Sequence, residues 1–221
     1  MHFKDLNMGV DKRLAIDLEN ALLNIDRIAA ENIVKKALVD ENEDIFKVID
    51  NIISPALESI GYKWEHGDIA LSQEYMASKI AEELTSEILP VESSQRTSRA
   101  VIGITTLEDQ HMLGKQILKA LISSMGFNFI DYGSMSIEKI KKKITSDKVE
   151  VLFISTLMLN HALRVKEVTE FIEKEKNGTK VIVGGAPFLF DDELWKEVNA
   201  SAMARTAVEG MHIAQELIGE F

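Results

Sequence analysis

The chain has 221 residues, no cysteine, and 36 acidic against 25 basic side chains, which gives a formal net charge of −11. This length is enough for one large or two modest domains, and the lack of cysteine excludes disulfides, cysteine-ligated zinc and iron–sulfur clusters. The acidic balance argues against a sequence-independent grip on nucleic acid, and without a membrane span or signal peptide we expect a cytoplasmic protein.

The first ninety residues favour helices. Apolar residues recur there at helical spacing, which predicts a four-helix bundle as a first domain over residues 1–90. The polar, turn-prone sequence VESSQRTSR begins at Val91 and predicts a linker over residues 91–98. The predicted helices cover 12–22, 26–39, 43–62 and 70–89.

The rest of the chain alternates between short apolar runs and helical patterns. This alternation predicts an α/β domain over residues 99–221, with a flavodoxin-like, doubly wound parallel sheet of about five strands. The predicted strands cover 100–106, 127–131, 149–155, 180–184 and 200–204, and the last predicted helix is 208–218. The chain has neither GxGxxG nor GxxxxGK[ST], so phosphate-cradling loops for dinucleotides or nucleoside triphosphates are absent. A phospho-accepting receiver of similar fold needs an aspartate where Ser155 stands.

Polar residues and glycines stand where three of the predicted strands end. They are Asp109, His111 and Gly114, then Ser155 and Leu157, then Gly184 and Gly185. Each group alone has an ordinary explanation as a structural histidine, a local cap or a tight turn. However, ligands of such sheets bind at the carboxyl ends of the strands, and Asp109 can orient His111 so that one ring nitrogen is free for a metal.

Taken in order, these residues form the pattern Asp-x-His-x-x-Gly, then Ser-x-Leu, then Gly-Gly, separated by residues 115–154 and 158–183. The pattern and the separations resemble the cobalamin-binding domain shared by methionine synthase, methyl-carrying corrinoid proteins and base-off mutases. The resemblance extends over roughly residues 12–219.

The resemblance implies a role for each motif. His111 would replace the cofactor's own dimethylbenzimidazole as the lower axial ligand of cobalt, and Asp109 would orient it. The freed nucleotide tail would enter a slot lined by Ser155, Leu157 and the two glycines. The other cofactor-contact positions that it implies are Gln110, Gly114, Leu159 and Met203.

The helical half resembles the cap domain that precedes the cobalamin domain in these proteins and in light-responsive cobalamin regulators. Its aromatic residue is Trp64, which, together with Leu71, would cover the upper face of the corrin. The alternative is that Trp64 belongs to the core of the bundle. Nine residues separate Trp64 from Glu74 and Tyr75, where the regulators have Glu-His, so the tyrosine cannot supply their upper imidazole ligand.

The chain departs from the family at three places. Glu108 stands where carriers usually have glycine, and adds charge beside the cobalt ligand. His161 replaces a serine or threonine, and either alters the protonation around Asp109 or caps the following helix. The closing segment becomes Asn199–Met203 in place of Gly-Ala-Asp-x-Tyr/Gly, at the far wall of the tail pocket.

The resemblance implies a corrinoid protein that carries a methyl group on cobalt without a complete active site of its own. The expected cofactor is cobalamin, as methylcobalamin or another corrinoid. The expected partners are a substrate-specific methyltransferase, an acceptor methyltransferase and a reductive activase, with neither nucleic acid nor a membrane. The alternatives are a non-enzymatic cobalamin sensor or store and the small subunit of a mutase, although the cap opposes the mutase.

Overall fold

The computed structural model describes residues 9–39, 44–90, 100–108 and 113–219. The chain divides into two compact units, Met1–Leu89 and Pro90–Phe221. The predicted linker over 91–98 lies outside the described residues. Each unit is built around its own buried apolar residues.

The described part of unit 1 is entirely helical. Its helices are α1 Val10–Leu23, α2 Arg27–Val39, α3 Ile45–Val48, α4 Ser54–Glu65 and α5 Leu71–Ile88. Helix α1 packs against α2, α4 and α5 and buries Leu14, Leu18 and Leu22 at the helical repeat that the sequence shows. The Gln73 side chain accepts a hydrogen bond from the Ala70 N–H at 3.0 Å and so helps to begin α5.

The single helix predicted over 43–62 is interrupted and extends further. A wider π-helical turn over Ile49–Ile53 joins α3 to α4, and Pro55 follows it in the first turn of α4. Proline has no N–H to donate to the carbonyl four residues earlier, so a regular α-helical ladder cannot pass through this position. The isoleucines of the turn remain buried, which keeps the two helical pieces on one core face.

In the described residues, unit 2 contains a five-stranded sheet with the order β2-β1-β3-β4-β5. Every recorded strand pairing is parallel, which confirms the predicted flavodoxin-like fold. The strands are β1 Val101–Leu107, β2 Asn128–Met135, β3 Val151–Ser155, β4 Lys180–Gly184 and β5 Ala202–Met203. The chain moves from β1 to β2 on one side and then to β3 on the other, so the strand order reverses between β1 and β3.

Helices cover both faces of this sheet. They are α6 Leu113–Ser124, α7 Ile137–Asp147, α8 Leu159–Lys174, α9 Ala186–Phe190, α10 Leu194–Glu197 and α11 Ala207–Ile218. Helix α6 packs against α11, and α7 packs against α8. The strands between them are almost continuously apolar because a parallel sheet is buried on both faces.

Two strands differ from the predicted lengths. Strand β2 continues past residue 131 to Met135, because polar residues are tolerated on an edge strand and Gly133 adopts a φ of +68° at an irregular register. Strand β5 is only Ala202–Met203, shorter than the predicted 200–204. It pairs with Ile182 and Val183 of β4 at the opposite edge.

In the part of the chain that the structure describes, no helix combines the length and the apolar character needed to cross a membrane.

Candidate functional site

The sheet register brings the predicted motif positions to one edge. Thr106 near the end of β1 pairs with Ser155 at the end of β3, and Ser155 pairs with Gly184 at the end of β4. Val183 pairs in turn with Met203 of β5. This is the carboxyl edge of the sheet, and β1 and β3 flank the point where the strand order reverses. A ligand crevice of an open α/β sheet lies at this place.

Asp109, Gln110 and His111 lie outside the described residues. The chain is described up to Glu108 and again from Leu113, where α6 begins. These two flanking residues place both ends of the segment 109–112 at the carboxyl edge of the sheet.

Gly114 lies beside Ser155 at this edge. A Cβ at Gly114 would have only the Ser155 Oγ nearby among the described residues, at 3.9 Å. The following residue, Thr156, is 2% exposed, and its Oγ1 has no hydrogen-bond partner among the described residues. An unsatisfied buried hydroxyl is costly, so it offers a hydrogen bond to an incoming polar group.

The two glycines allow the strand ends to pack closely. Gly185 has a φ of 105° and a ψ of 173°, and a Cβ there would lie 2.0 Å from the Thr156 carbonyl oxygen. A Cβ on Gly184 would lie 3.2 Å from the Ala204 carbonyl oxygen. Glycine is therefore required for packing within the chain, because the backbone after β3 lies against the backbone after β4.

The segment after β3 exposes apolar side chains. Leu157, Met158 and Leu159 are consecutive and exposed. Met203, from β5, is partly buried and packs against the sheet core. A contiguous run of exposed apolar side chains at a ligand-binding edge suits a large apolar ligand.

Glu108 has a structural role that the sequence did not reveal. Its φ of 53° lies in the left-handed region, which favours glycine and is unusual for glutamate. The Glu108 carboxylate forms an ion pair with Arg164 of α8, and its N–H donates to the Met135 carbonyl at 3.1 Å. Arg164 also pairs with Glu167 at 3.0 Å, and these carboxylates, Glu167 first, raise the pKa of the guanidinium.

A second ion pair stands just after the segment 109–112. The Lys115 Nζ is 2.7 Å from the Asp131 Oδ1, and the Lys115 side chain is 7% exposed. Burial disfavours the charged Asp131 carboxylate, but the Lys115 ammonium and the Gly133 N–H outweigh it and lower the pKa of Asp131. Sequence periodicity contained a signal for this pair, because Lys115, Leu118 and Ile122 share one buried helical face.

His161 lies within the first turn of α8, which begins at Leu159. The residue before the helix is Met158, and the His161 backbone N–H donates to the Met158 carbonyl at 3.0 Å. Both sequence-based interpretations of the His161 side chain therefore stay predictions.

Unit 1 exposes the residues predicted for its ligand face. Trp64 is 44% exposed, which places it outside the bundle core, and Leu71 and Tyr75 are also exposed. They flank the connection between α4 and α5. Glu74 accepts a hydrogen bond from the Ser78 hydroxyl at 2.9 Å. Unit 1 therefore exposes apolar and aromatic side chains near this connection.

The unit 2 residues fit a large ligand with an apolar body and a polar tail. The run Leu157–Leu159 supplies apolar surface, and Thr156 supplies a buried hydroxyl. Across ranges 9–39, 44–90, 100–108 and 113–219, no three His, Asp or Glu side chains converge on a metal position.

A separate cleft of about 370 Å³ lies at the amino-terminal edge of β3 and β4, between Lys148, Thr179 and Ile218. None of the predicted site residues lines it.

Comparison with known families gives two matches that together cover most of the chain. Residues 14–88 match a family described as B12 binding domain, and residues 99–217 match a second family with the same description. The second match alone covers more than half of the chain.

Individual relatives resemble the chain over nearly its whole length. It is 28% identical to a corrinoid protein of Desulfitobacterium hafniense (strain Y51), with 92% of this chain and 97% of the relative covered. It is 24% identical to dimethylamine corrinoid protein 2 of Methanosarcina mazei, with 96% and 100% covered. The solved structure of the monomethylamine corrinoid protein of Methanosarcina barkeri matches with a TM-score of 0.79 and 25% identity, covering 94% of this chain and all of the other.

Proposed function

The chain belongs to the B12-binding domain family, and from this premise we propose that it holds a cobalamin with His111 on cobalt and carries a methyl group between partner methyltransferases. A bound cobalamin supplies a cobalt ion that accepts a methyl group and gives it up again. The chain's own residues bind, orient and shield that ion.

The observation that carries the proposal is the alignment of the motifs in the sheet. Thr106, Ser155 and Gly184 are register partners across β1, β3 and β4, so the strand that leads into the first motif ends at the same carboxyl edge as Ser155 and Gly184. The strand order reverses within this group, which is the usual ligand position in the fold. An ordinary set of turn residues has no reason to combine this alignment with exposed apolar side chains and a buried, unpartnered hydroxyl.

We assign the lower face of the cofactor to unit 2. His111 binds the metal through one ring nitrogen, and Asp109 accepts the proton of the other. Ser155, Thr156 and Leu157 receive the nucleotide tail beside Gly114, and Gln110, Leu159, the glycine pair and Met203 complete the binding set.

We assign the upper face to unit 1. Trp64 and Leu71 shield the reacting ligand of the metal from water, and Glu74 and Tyr75 lie beside them on α5. For a partner to reach the metal, these side chains have to move away, which is a gating step and not a catalytic one.

The relatives support the methyl-carrying part of the proposal. Their names describe corrinoid proteins, one of them for dimethylamine and another for monomethylamine. We therefore expect a substrate-specific methyltransferase, an acceptor methyltransferase and a reductive activase as partners, in the cytoplasm.

Methyl transfer in trans tests the function. The cobalamin-loaded protein is reduced with a corrinoid activase, mixed with a candidate methyltransferase and its methylated substrate, and followed by visible absorbance. We expect repeated cycles of methylation and, after addition of the acceptor enzyme, demethylation. His111→Ala is the control for a misassembled site and should cycle poorly.

A cobalamin sensor or store gives a different result. It binds cobalamin but is neither reduced by the activase nor methylated by methyltransferases encoded nearby. That outcome contradicts the carrier and leaves cobalamin binding intact.

A further inference from the structure

Residues on both sides of the segment 109–112 form ion pairs with other elements of unit 2. Glu108, immediately before it, pairs with Arg164 of α8. Lys115, three residues after it, pairs with Asp131 of β2. The two anchors differ, since the Lys115 side chain is buried, whereas the Glu108 and Arg164 side chains are 29% and 43% exposed.

The backbone of Glu108 has a conformation that is unfavourable for glutamate. Its φ of 53° is disfavoured for any residue with a Cβ. Glycine would adopt this conformation without strain, but it could not reach Arg164. Glu108 is therefore strained, but its side chain connects the end of β1 to α8. This helix follows Ser155 and Leu157.

We propose that the Glu108–Arg164 ion pair is a positioning device that holds the entry of the His111 segment against α8 and thereby raises the fraction of cofactor bound through His111. The inference rests on the proposed function, because it assumes that His111 is the lower ligand. Glu108 and Arg164 are positioning residues and do not themselves touch the metal.

The exposure of the pair predicts a small and salt-sensitive effect. Ion pairs at the protein surface change an equilibrium by about 1.4- to 5-fold and are screened by salt. A pair of this kind contributes little to the stability of the whole fold. It can nevertheless shift a local equilibrium at the end of β1 by a few-fold, which is enough to change the fraction of cofactor bound through His111.

The variants separate the pair from its neighbours. Glu108→Gln keeps the size of the side chain and removes the charge, Arg164→Gln removes the other partner, and Glu108→Arg combined with Arg164→Glu restores the pair with reversed signs. Glu167→Gln is the matched control, because it removes the other carboxylate on Arg164 and leaves Glu108 in place.

Two measurements on full-length protein test the proposal. Hydrogen exchange without cofactor reports the opening of segment 108–113, and the electron-paramagnetic spectrum of the Co(II) cobalamin form reports the fraction with a protein nitrogen on cobalt. We expect both single variants to exchange about two- to fivefold faster and to lose nitrogen-split signal, with recovery in the reversed pair. About 1 M salt should move the exchange rate and the nitrogen signal of the parent toward those of the variants. At low salt, Glu167→Gln should stay close to the parent.

Each outcome decides a different claim. Unchanged exchange and unchanged nitrogen signal in Glu108→Gln and Arg164→Gln overturn the positioning role, while His111 ligation stands. Equal effects of Glu167→Gln and Glu108→Gln also overturn it, because a general loss of charge around Arg164 would then suffice. A parent protein with no protein-nitrogen signal overturns His111 ligation and, with it, the assignment of this pair to the cofactor.

Discussion

Two residues with positive φ show how single positions shape the candidate site. Gly185 allows the backbone after β4 to lie against Thr156, and Glu108 keeps a left-handed backbone while its side chain reaches α8. The motif pattern indicated that Gly185 matters, but neither its backbone conformation nor its contact with Thr156 could be predicted from the sequence. Glu108 looked only like an extra charge in the sequence.

Substitution of Gly185 should be much more damaging than substitution of another positive-φ glycine. Gly185→Ala places a Cβ 2.0 Å from the Thr156 carbonyl oxygen, so the backbones have to separate. We expect a loss of about 2 to 5 kcal/mol in the free energy of unfolding, from left-handed strain and overpacking together. Denaturant unfolding measures it.

Gly178→Ala is the matched control. Gly178 also has a positive φ, at 85°, but no atom of the described residues lies within 4 Å of its Cβ position. It should lose about 1 to 2 kcal/mol, from strain alone. Equal losses in the two variants would show that the close approach to Thr156 has no energetic weight.

At the level of elements, hydrophobic periodicity predicted the fold well. Alternating strands and helices gave the parallel sheet because both periods are local properties of the sequence. The errors fell where tertiary contacts decide the outcome: the edge strand β2 runs on through Asp131 and Gly133, and Pro55 follows a widened turn. The roles of Asp109 and His111 came from the family resemblance, since a single Asp-x-His is compatible with several structures.

The pairing of α6 with β2 predicts a pH dependence. Interactions with Lys115 and Gly133 hold the pKa of Asp131 below its ordinary value, so its ionised form stabilises the folded state. This contribution is complete above the unfolded pKa of about 4 and is lost as the pH falls through the lower folded value. Asp131→Asn should therefore lower the free energy of unfolding by about 1 to 3 kcal/mol at neutral pH.

The difference between parent and Asp131→Asn should shrink as the pH falls below about 4. Asp192→Asn, at an exposed carboxylate between α9 and α10, serves as the control and should change stability little at any pH. A difference for Asp131→Asn that stays constant down to the acid transition would show that the lost ion pair is not its cause.

At the scale of the whole molecule, each unit separately carries residues that we propose as cofactor contacts. Unit 2 carries Ser155 and Gly184 at its sheet edge, and unit 1 carries exposed Trp64, Leu71 and Tyr75. Each unit also matches a family described as B12 binding domain.

Removal of the Trp64 ring should expose the upper face of the cofactor. We expect Trp64→Ala to retain cobalamin through unit 2 but to lose the methyl group to light or water faster, by a few-fold, because the ring no longer hinders escape. Absorbance decay of the methylated protein under fixed illumination measures the lifetime. Ile28→Ala removes another exposed apolar side chain of unit 1, and its lifetime should match that of the parent. Equal lifetimes in all three proteins would show that Trp64 does not shield the cofactor.

The most direct test of the central claim is the identity of the atom below cobalt. Protein grown on nitrogen-15 is loaded with unlabelled cobalamin, reduced to Co(II), and examined by electron-paramagnetic resonance. If His111 is the lower ligand, each cobalt line changes from a triplet in unlabelled protein to a doublet in labelled protein, and His111→Ala loses this splitting. A triplet that persists in labelled protein would show that the cofactor's own benzimidazole stays on cobalt, and would contradict the account.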